Sequence, residues 1–206
     1  MSNCIIAIPT LGRVGNQVTL NQLPDEWKKR TYLVCPPEEH GKHGHQTICC
    51  PEKGIHNVRE WIMQNIEAKA IIQLDDDMKF RARKGKSLVR AEPEEKMCTT
   101  VIAAHCYNVS GYRNMRLKFN RIAYHEDVDV SLQVLRLGFP NIVTHKWVRV
   151  QPDQQGEGGC SVYRDVDHWN LVTKQLKALH PEYVRHRWRE ITGEDAERWG
   201  GTVKGS

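Results

Sequence analysis

The sequence has no long hydrophobic run and no recognisable leader. Its hydrophobic content is 39% and its charged content is 27%, which is typical of a globular protein. No apolar run approaches the ~18–20 residues that a membrane-spanning helix needs. The first ten residues, MSNCIIAIPT, lack the basic start and the long apolar core of a secretory signal. We therefore expect a cytoplasmic protein that makes no contact with a membrane.

Cysteine pairs with the CxxC spacing are also absent. The seven cysteines form no CxxC motif, and their number is odd. This pattern argues against a disulfide-stabilised fold and against a structural zinc site. The sequence has no internal repeats and no segment that would mark a domain boundary. A chain of 206 residues then fits one compact domain that comprises residues 1–206.

The first part of the chain alternates between apolar strands and helical segments. The predicted elements are a strand at 4–9, a helix at 16–29, strands at 31–37 and 46–50, a helix at 54–67 and a strand at 70–74. This order predicts an α/β fold with a mostly parallel sheet flanked by helices. In such folds the ligand-binding loops lie at the carboxyl ends of the strands.

The second part of the chain is less regular. We predict a loop at 81–96, a helix at 92–109, one or two strands at 111–124, a helix at 125–139, a strand at 141–150, a glycine-rich loop at 151–161 and a final helix at 167–184. Gly138 is placed to end the helix at 125–139, because glycine readily adopts the left-handed conformation of a helix C-terminus.

Three adjacent aspartates follow the predicted strand AIIQL. Because alternate residues of an extended chain point the same way, Asp75 and Asp77 are expected to converge while Asp76 turns aside. Two converging carboxylates repel each other unless a cation lies between them. Oxygen ligands favour Mg²⁺ or Mn²⁺, and protein-bound Mg²⁺ is commonly completed by substrate phosphates. The pattern indicates a site for a metal and a diphosphate; the alternative interpretation is a solvated turn.

With four further features, this DxD pattern resembles the GT-A type nucleotide-sugar glycosyltransferases. The first strand ends in IPTLGR, which is similar to the loop that holds the nucleoside in that family. Arg59 lies on the helix before the DxD strand, and HEDVDVSLQVLRLGF resembles the family's acidic pair at a helix start. His145 resembles the late histidine that completes the metal site. The resemblance covers roughly residues 3–150 and implies a GT-A type, Rossmann-like fold.

The resemblance implies a role for each matching residue. Asp75, Asp77 and His145 would bind Mn²⁺ or Mg²⁺. Asp127, with Glu126 beside it, would be the general base that deprotonates an acceptor hydroxyl in an inverting displacement. The nucleotide-sugar donor, with a UDP-sugar favoured, would contact Pro9, Thr10, Arg13, Arg59, Asp75 and Asp76. The alternatives are ordinary N-capping for Glu126 and Asp127 and a structural role for His145.

Positive charge is concentrated in two segments near these motifs. The formal net charge is +5. The basic residues of these segments are Arg81, Arg83, Lys84, Lys86 and Arg90, followed much later by Arg185, Arg187 and Arg189. Basic residues accompanied by aromatic side chains suit a polyanion that carries bases. We therefore expect the acceptor to be part of a nucleic acid; the alternative is a solvated charged surface.

A narrower resemblance identifies the kind of nucleic acid. The small size, the compact E-D helix and the segment GEGGCSVYR at 156–164 are similar to the bacteriophage enzymes associated with TET-like oxygenases. This resemblance implies sugar transfer to 5-hydroxymethylpyrimidines in DNA, and for a phage protein it implies the host cytoplasm. Extruding a base costs a few kcal/mol and needs a pocket with aromatic or apolar walls.

Three other interpretations stay open. A glycosyltransferase with a polysaccharide or lipid acceptor would use the same metal site, but it would leave the basic segments without a function. A nucleotidyltransferase also holds Mg²⁺ with carboxylates, but its first loop usually carries a basic activating segment, and PTLGRVGN has one basic residue. The non-enzyme alternative is a DNA-binding module with a structural metal, but the sequence has no helix-turn-helix or zinc-finger spacing to support it. The sequence leaves open the sugar, the donor base, the stereochemistry, the acceptor base and the oligomeric state.

Overall fold

A computed structural model describes residues 4–84, 87–90, 104–139, 147–150 and 166–185. The strands are β1 (Cys4–Pro9), β2 (Thr31–Cys35), β3 (Thr47–Cys49), β4 (Ala70–Leu74), β5 (Lys79–Lys84), β6 (Ser87–Arg90), β7 (Ala104–Asn108) and β8 (Trp147–Val150). The helices are α1 (Val18–Gln22), α2 (Asp25–Lys28), α3 (Ile55–Asn65), α4 (Val109–Asn114), α5 (Glu126–Arg136) and α6 (Val166–Leu179).

The main sheet has five strands in the order β3-β2-β1-β4-β7. β1 pairs in parallel with β2 and β4, and β2 pairs in parallel with β3. Only the edge strand β7 runs antiparallel to its neighbour. The predicted α/β class with a mostly parallel sheet is confirmed. β5, β6 and β8 form a second, three-stranded antiparallel sheet.

Both faces of the main sheet are buried. Ile6 and Ile8 of β1 pack on one face with Leu20 of α1, while Ala7 packs on the other face with Ile62 of α3. This alternation follows from the two-residue side-chain period of a strand. Burial on both faces explains why the strands contain near-continuous apolar runs. None of the helices among the described residues is both long and apolar enough to cross a bilayer.

The prediction of a loop at 81–96 is wrong for its first half. Residues 79–84 and 87–90 form the β5–β6 hairpin, in which Arg81 is the register partner of Arg90. Phe80 is buried against Leu74 and Met78, but the neighbouring residues Lys79 and Arg81 are not. Cross-strand hydrogen bonding needs no apolar period, so a predominantly basic strand was not recognised from its composition.

The predicted helix at 92–109 is also wrong where it can be compared. Residues 104–108 form β7, which pairs with β4 along its whole length. Short apolar runs are compatible with either a strand or a helix, and here pairing with a buried strand decides the outcome. Residues 91–103, which include the rest of that predicted helix, lie outside the described residues.

Two further boundaries differ from the prediction. The single helix expected at 16–29 is two helices, because Pro24 lacks an amide hydrogen and interrupts the hydrogen-bond pattern at the start of α2. The segment 111–124, predicted as strand, begins instead within α4 and continues as turns. Asn108, the last residue of β7, is the N-cap of α4, and its side-chain oxygen accepts a hydrogen bond from the Gly111 amide at 2.8 Å.

Candidate active site

The predicted aspartate cluster lies beside the loop that follows β1. β1 and β4 are parallel neighbours, so their carboxyl ends lie side by side. The hydroxyl of Thr10 donates a hydrogen bond to Oδ2 of Asp76 at 2.8 Å. Pro9, the last residue of β1, is buried directly before Thr10. The sheet topology therefore brings together two motifs that are 66 residues apart.

Arg13 binds two of the three aspartates. Its Nη2 donates to Oδ2 of Asp77 at 3.2 Å, and its Nη1 lies 3.5 Å from Oδ1 of Asp76. The side chain of Arg13 is mostly buried, so these ion pairs are less screened than surface pairs. Asp76 and Asp77 thus share one guanidinium group.

Arg59 binds the remaining aspartate and extends the site to α5. Its Nη2 donates to Oδ1 of Asp75 at 2.5 Å, and its Nε lies 3.2 Å from Oε1 of Glu126. Arg59 is only 2% exposed. The end of β4 and the start of α5, which carry the two acidic motifs of the sequence, are therefore joined through one buried cation.

Glu60, a buried carboxylate on α3, binds residues that lie near Arg59. Glu60 accepts hydrogen bonds from the Tyr112 hydroxyl and the Phe119 amide, and its other oxygen lies 3.0 Å from Nζ of Lys118. Burial alone would raise the pKa of Glu60, but these hydrogen bonds outweigh it and lower the pKa. The Phe119 ring then lies 6.0 Å from the Arg59 guanidinium carbon. Sequence reasoning missed Glu60, because a single glutamate on a helix gives no signal.

The first turn of α5 presents Glu126 and Asp127 differently. Glu126 is buried, whereas Asp127 is partly exposed and accepts a hydrogen bond from the Val128 amide at 2.7 Å. The preceding residue, His125, has a φ of 60°, which is uncommon for a residue with a side chain. Its ring packs edge-on against Trp169 of α6, with 4.4 Å between the ring centroids. Asp127 is thus the accessible member of the acidic pair.

Burial changes the acidity of two carboxyl groups in the site. Burial raises the pKa of Asp76 to about 6, although the Arg13 charge and the Thr10 hydroxyl oppose the rise. Burial also raises the pKa of Glu126 to about 7 against the opposing charge of Arg59, and Asp127 adds to the rise. Perturbed pKa values of this kind are frequent at functional sites.

The backbone of the aspartate turn is held by a threonine that sequence reasoning did not identify. Thr19 is fully buried on α1. Its hydroxyl donates to the carbonyl oxygen of Asp75 at 2.6 Å and accepts a hydrogen bond from the Met78 amide at 2.8 Å. Its own amide donates to the carbonyl oxygen of Asp76. One side chain therefore shapes the turn that presents all three carboxylates.

The site carries more carboxylates than basic groups, and carboxylate oxygens are the ligand type that Mg²⁺ prefers. Four carboxylates, those of Asp75, Asp76, Asp77 and Glu126, face the two guanidinium groups of Arg13 and Arg59. Negative charge therefore exceeds positive charge within this group when all four are ionised. No three His, Cys, Asp or Glu side chains among the described residues are grouped as a complete metal site. Mg²⁺ does not require such a group, since one or two carboxylates and substrate phosphates can hold it.

The structure locates some of the predicted basic residues. Arg81 is half-buried on β5, Arg83 and Lys84 follow on the same strand, and Arg90 is on β6. Lys79 and Arg81 occupy alternate positions of β5, which place them on one face of the small sheet. Arg185 is exposed after α6. His145, Lys86, Arg187 and Arg189 lie outside the described residues.

No protein-family model and no curated protein match the sequence. Among solved structures, the chain is similar to S. aureus TarS in complex with UDP-GlcNAc, with 10% identity over 90% of this chain and 68% of that chain and a TM-score of 0.49. It is also similar to a cytidylyltransferase from Leptospira borgpetersenii, with 9% identity over 90% of this chain and 100% of that chain and a TM-score of 0.42.

A third similar structure is CMP:2-keto-3-deoxy-manno-octonic acid synthetase complexed with CTP. The identity is 11% over 67% of this chain and 87% of that chain, and the TM-score is 0.37. Similarity at this level does not establish a shared activity. The function is therefore argued from the site.

Proposed function

We propose that this protein is a metal-dependent glycosyltransferase that moves a sugar from a nucleotide sugar, with a UDP-sugar favoured, to a hydroxyl acceptor. One observation carries the proposal: Arg59 joins Asp75 of the aspartate turn to Glu126 of the acidic pair. In this proposal the first motif would bind the donor and the second would activate the acceptor, and their connection through Arg59 supports such an arrangement. Sugar transfer needs both, because the anomeric carbon reacts between the leaving diphosphate and the attacking hydroxyl.

The donor side comprises the end of β1 and the aspartate turn. Pro9, Thr10 and Arg13 would position the nucleotide, and Asp76 would lie closest to its ribose or sugar. Asp75 and Asp77, with His145, would hold Mn²⁺ or Mg²⁺. When bound, the metal would supply positive charge to the leaving diphosphate. Arg59, which donates a hydrogen bond to Asp75, would hold that carboxylate in place.

The acceptor side is the first turn of α5. Asp127 would accept the proton of the acceptor hydroxyl as that oxygen attacks the anomeric carbon, in one inverting displacement. Its partial exposure makes it available to an acceptor, whereas Glu126 is buried against Arg59. Glu126 would orient the first turn of α5 and offset part of the positive charge of Arg59.

For the acceptor, we propose a 5-hydroxymethylpyrimidine in DNA. The basic strand β5 begins two residues after the aspartate turn, and Arg81 is paired in register with Arg90 across the hairpin. Basic residues next to a reaction centre suit a polyanionic acceptor. Arg83, Lys84, Lys86, Arg185, Arg187 and Arg189 would extend this contact along the DNA backbone.

The test is the release of nucleoside diphosphate from a panel of UDP- and GDP-sugars with Mn²⁺. Each donor is incubated with unmodified DNA or with DNA containing 5-hydroxymethylcytosine or 5-hydroxymethyluracil. Release that requires both the metal and the modified base is the expected result. Metal-dependent release that ignores DNA would assign a saccharide or lipid acceptor. Pyrophosphate release from CTP or UTP, without diphosphate release, would assign a nucleotidyltransferase instead.

A further inference from the structure

A buried chain of hydrogen bonds runs from the loop after β2 to the aspartate cluster. Oε2 of Glu39 lies 3.2 Å from Nε2 of His43, and Nδ1 of His43 lies 3.4 Å from Nε2 of Gln17. The same nitrogen of Gln17 lies 3.1 Å from the Thr10 hydroxyl, which donates to Asp76 at 2.8 Å. Five side chains from three segments of the chain are thus connected in series.

The direction of each hydrogen bond in this series is determined by its neighbours. Nε2 of Gln17 also donates to the carbonyl oxygen of Arg13 at 3.0 Å, so the amide nitrogen must occupy this position. The amide has two hydrogens for three acceptors, so Nδ1 of His43, the most distant acceptor at 3.4 Å, shares a hydrogen with one of the other two. With Nδ1 as an acceptor, Nε2 of His43 carries the ring hydrogen and donates to Glu39. Because Gln17 donates to Thr10, the hydroxyl hydrogen of Thr10 is directed at Asp76.

Glu39 has a second connection to the same loop. Its other oxygen, Oε1, accepts a hydrogen bond from the amide of Gly12 at 2.7 Å. Gly12 has a φ of 70°, a conformation that glycine adopts without strain. One carboxylate therefore holds the loop after β1 both directly and through His43, whose side chain is fully buried.

Gln17 is buried beside a surface pocket of about 230 Å³, which is lined by Gly15, Gln17, Leu20, Asn21, Lys28 and residues 43–45. Exposed residues such as Gly15 and Asn21 form part of its wall, so the pocket is open to solvent. The hydrogen bonds to Thr10 and Arg13 and the contact with His43 orient the Gln17 amide beside this pocket.

We infer that Glu39 and His43 are positioning residues that fix Thr10, and through it Asp76, for the donor nucleotide. This inference rests on the proposed function, in which the donor binds at Thr10, Arg13 and the aspartates. His43 acts on the aspartates through Gln17, and Glu39 acts through His43 and through the amide of Gly12. The series gives a role to Glu39 and His43 of the polar segment EEHGKHGH after β2, which the catalytic roles leave unused.

Two substitutions of His43 separate the halves of the series. His43→Asn keeps an acceptor near the place of Nδ1 and loses the contact with Glu39. His43→Gln keeps a donor near the place of Nε2 and loses the acceptor for Gln17. The matched control is Asn21→Ala, which changes an exposed residue of the same pocket.

The experiment measures hydrogen–deuterium exchange in the full-length protein without ligand, and UDP affinity with Mn²⁺ by calorimetry. For His43→Gln we expect faster exchange at residues 10–17 and 75–78 and about fivefold weaker UDP binding, as for the loss of one hydrogen bond. His43→Asn should have a smaller effect on both, and Asn21→Ala should match the wild type.

Unchanged exchange in His43→Gln would overturn the inference. So would faster exchange with wild-type UDP affinity, because the contact would then be structural only. If the wild-type protein binds no nucleotide, the proposed function fails, and the exchange at residues 75–78 alone decides whether the series reaches the aspartates. Faster exchange there in His43→Gln would support the connection, and exchange confined to residues 10–17 would overturn it.

Discussion

Nη2 of Arg59 donates a hydrogen bond to Oδ1 of Asp75 across 2.5 Å. Arg59 lies on α3 and Asp75 directly follows β4, the next element of the chain, so the two side chains meet where β4 ends. The other side of the same guanidinium faces Glu126 on α5. A single buried cation thus balances carboxylates from two acidic motifs that are far apart in the sequence.

Replacing Arg59 should destabilise the protein strongly. Arg59→Met leaves two carboxylates near a buried apolar chain, and breaking a buried ion pair in this way typically costs about 3–5 kcal/mol in the free energy of unfolding. Urea denaturation at pH 7 measures the loss. The control is Lys28→Met, which removes an exposed pair with Asp25 and should cost about 0–1 kcal/mol. Equal stability of the two variants would contradict the role given to Arg59.

Thr19→Val should weaken the aspartate turn specifically. The substitution removes a hydroxyl that bonds both Asp75 and Met78, and an unsatisfied buried group costs about 1–3 kcal/mol. We expect lower stability in urea and weaker UDP binding with Mn²⁺. Thr31→Val is the control, because Thr31 is equally buried but lies at the start of β2. Its hydroxyl donates to the carbonyl oxygen of Trp27 and not to the aspartate turn. Similar loss of UDP affinity in both variants would argue against a specific effect on the turn.

Local patterns in the sequence predicted much of the main sheet and the candidate site. The predicted strand at residues 4–9 has the bounds of β1, and the aspartates follow β4 as expected. α5 begins at Glu126, the first residue of the acidic pair. These features are local, because apolar runs and acidic residues at a helix start depend on neighbouring residues alone.

Features that depend on distant residues were not predicted. Nothing local to Glu60 indicates that Tyr112 and Phe119 will donate to it, because these residues meet only after α3 and α4 pack together. β7 likewise becomes a strand because β4 offers a buried edge to pair with. The aspartate turn itself shows the same dependence. Asp76 and Asp77 share Arg13, while Asp75 is held by Arg59, and strand alternation alone does not reveal this division.

Asp76 and Glu126 should contribute stability to the metal-free protein that declines as the pH rises from about 4.5 to 7. Their pKa values are raised to about 6 and about 7 in the folded state, so over this range each group binds more protons in the folded than in the unfolded state. The lowered pKa values of His56 and Glu60 act in the opposite direction, so the variant is compared with the wild type. Between pH 5.5 and 7.5 the slope of stability against pH should be more positive in Glu126→Gln than in the wild type, as measured by urea denaturation in EDTA. An unchanged slope in the variant would show that Glu126 does not titrate in this range.

The basic hairpin should bind DNA through phosphate contacts. Replacing Arg81 and Arg83 with Gln should weaken DNA binding and reduce the slope of log K against log salt by about 0.9 for each lost phosphate contact. Fluorescence anisotropy at several salt concentrations measures both quantities. In the control, Lys29 and Arg30 are replaced with Gln. These exposed residues directly precede β2 and so lie at the amino ends of the parallel strands, away from the aspartate turn. An equal reduction in the control would indicate nonspecific attraction by the net charge.

Asp127→Asn should abolish turnover while leaving donor binding intact. Asparagine keeps the size of the side chain and can still accept a hydrogen bond from the Val128 amide, but it does not accept a proton from an attacking hydroxyl. General-base catalysis typically contributes a factor of about 10²–10⁴, so diphosphate release should fall by that amount. UDP affinity should remain within about twofold of the wild type, since the loss acts on the transition state and not on the bound donor.

The matched control for Asp127→Asn is Asp167→Asn, which alters an exposed acidic residue in the first turn of another helix, α6. This variant tests whether the loss depends on the position of the carboxylate or only on negative charge at a helix N-terminus. Wild-type turnover in Asp167→Asn together with a large loss in Asp127→Asn assigns proton transfer to Asp127. Undiminished turnover in Asp127→Asn would leave the acidic pair as a helix cap and require a different base on the acceptor side.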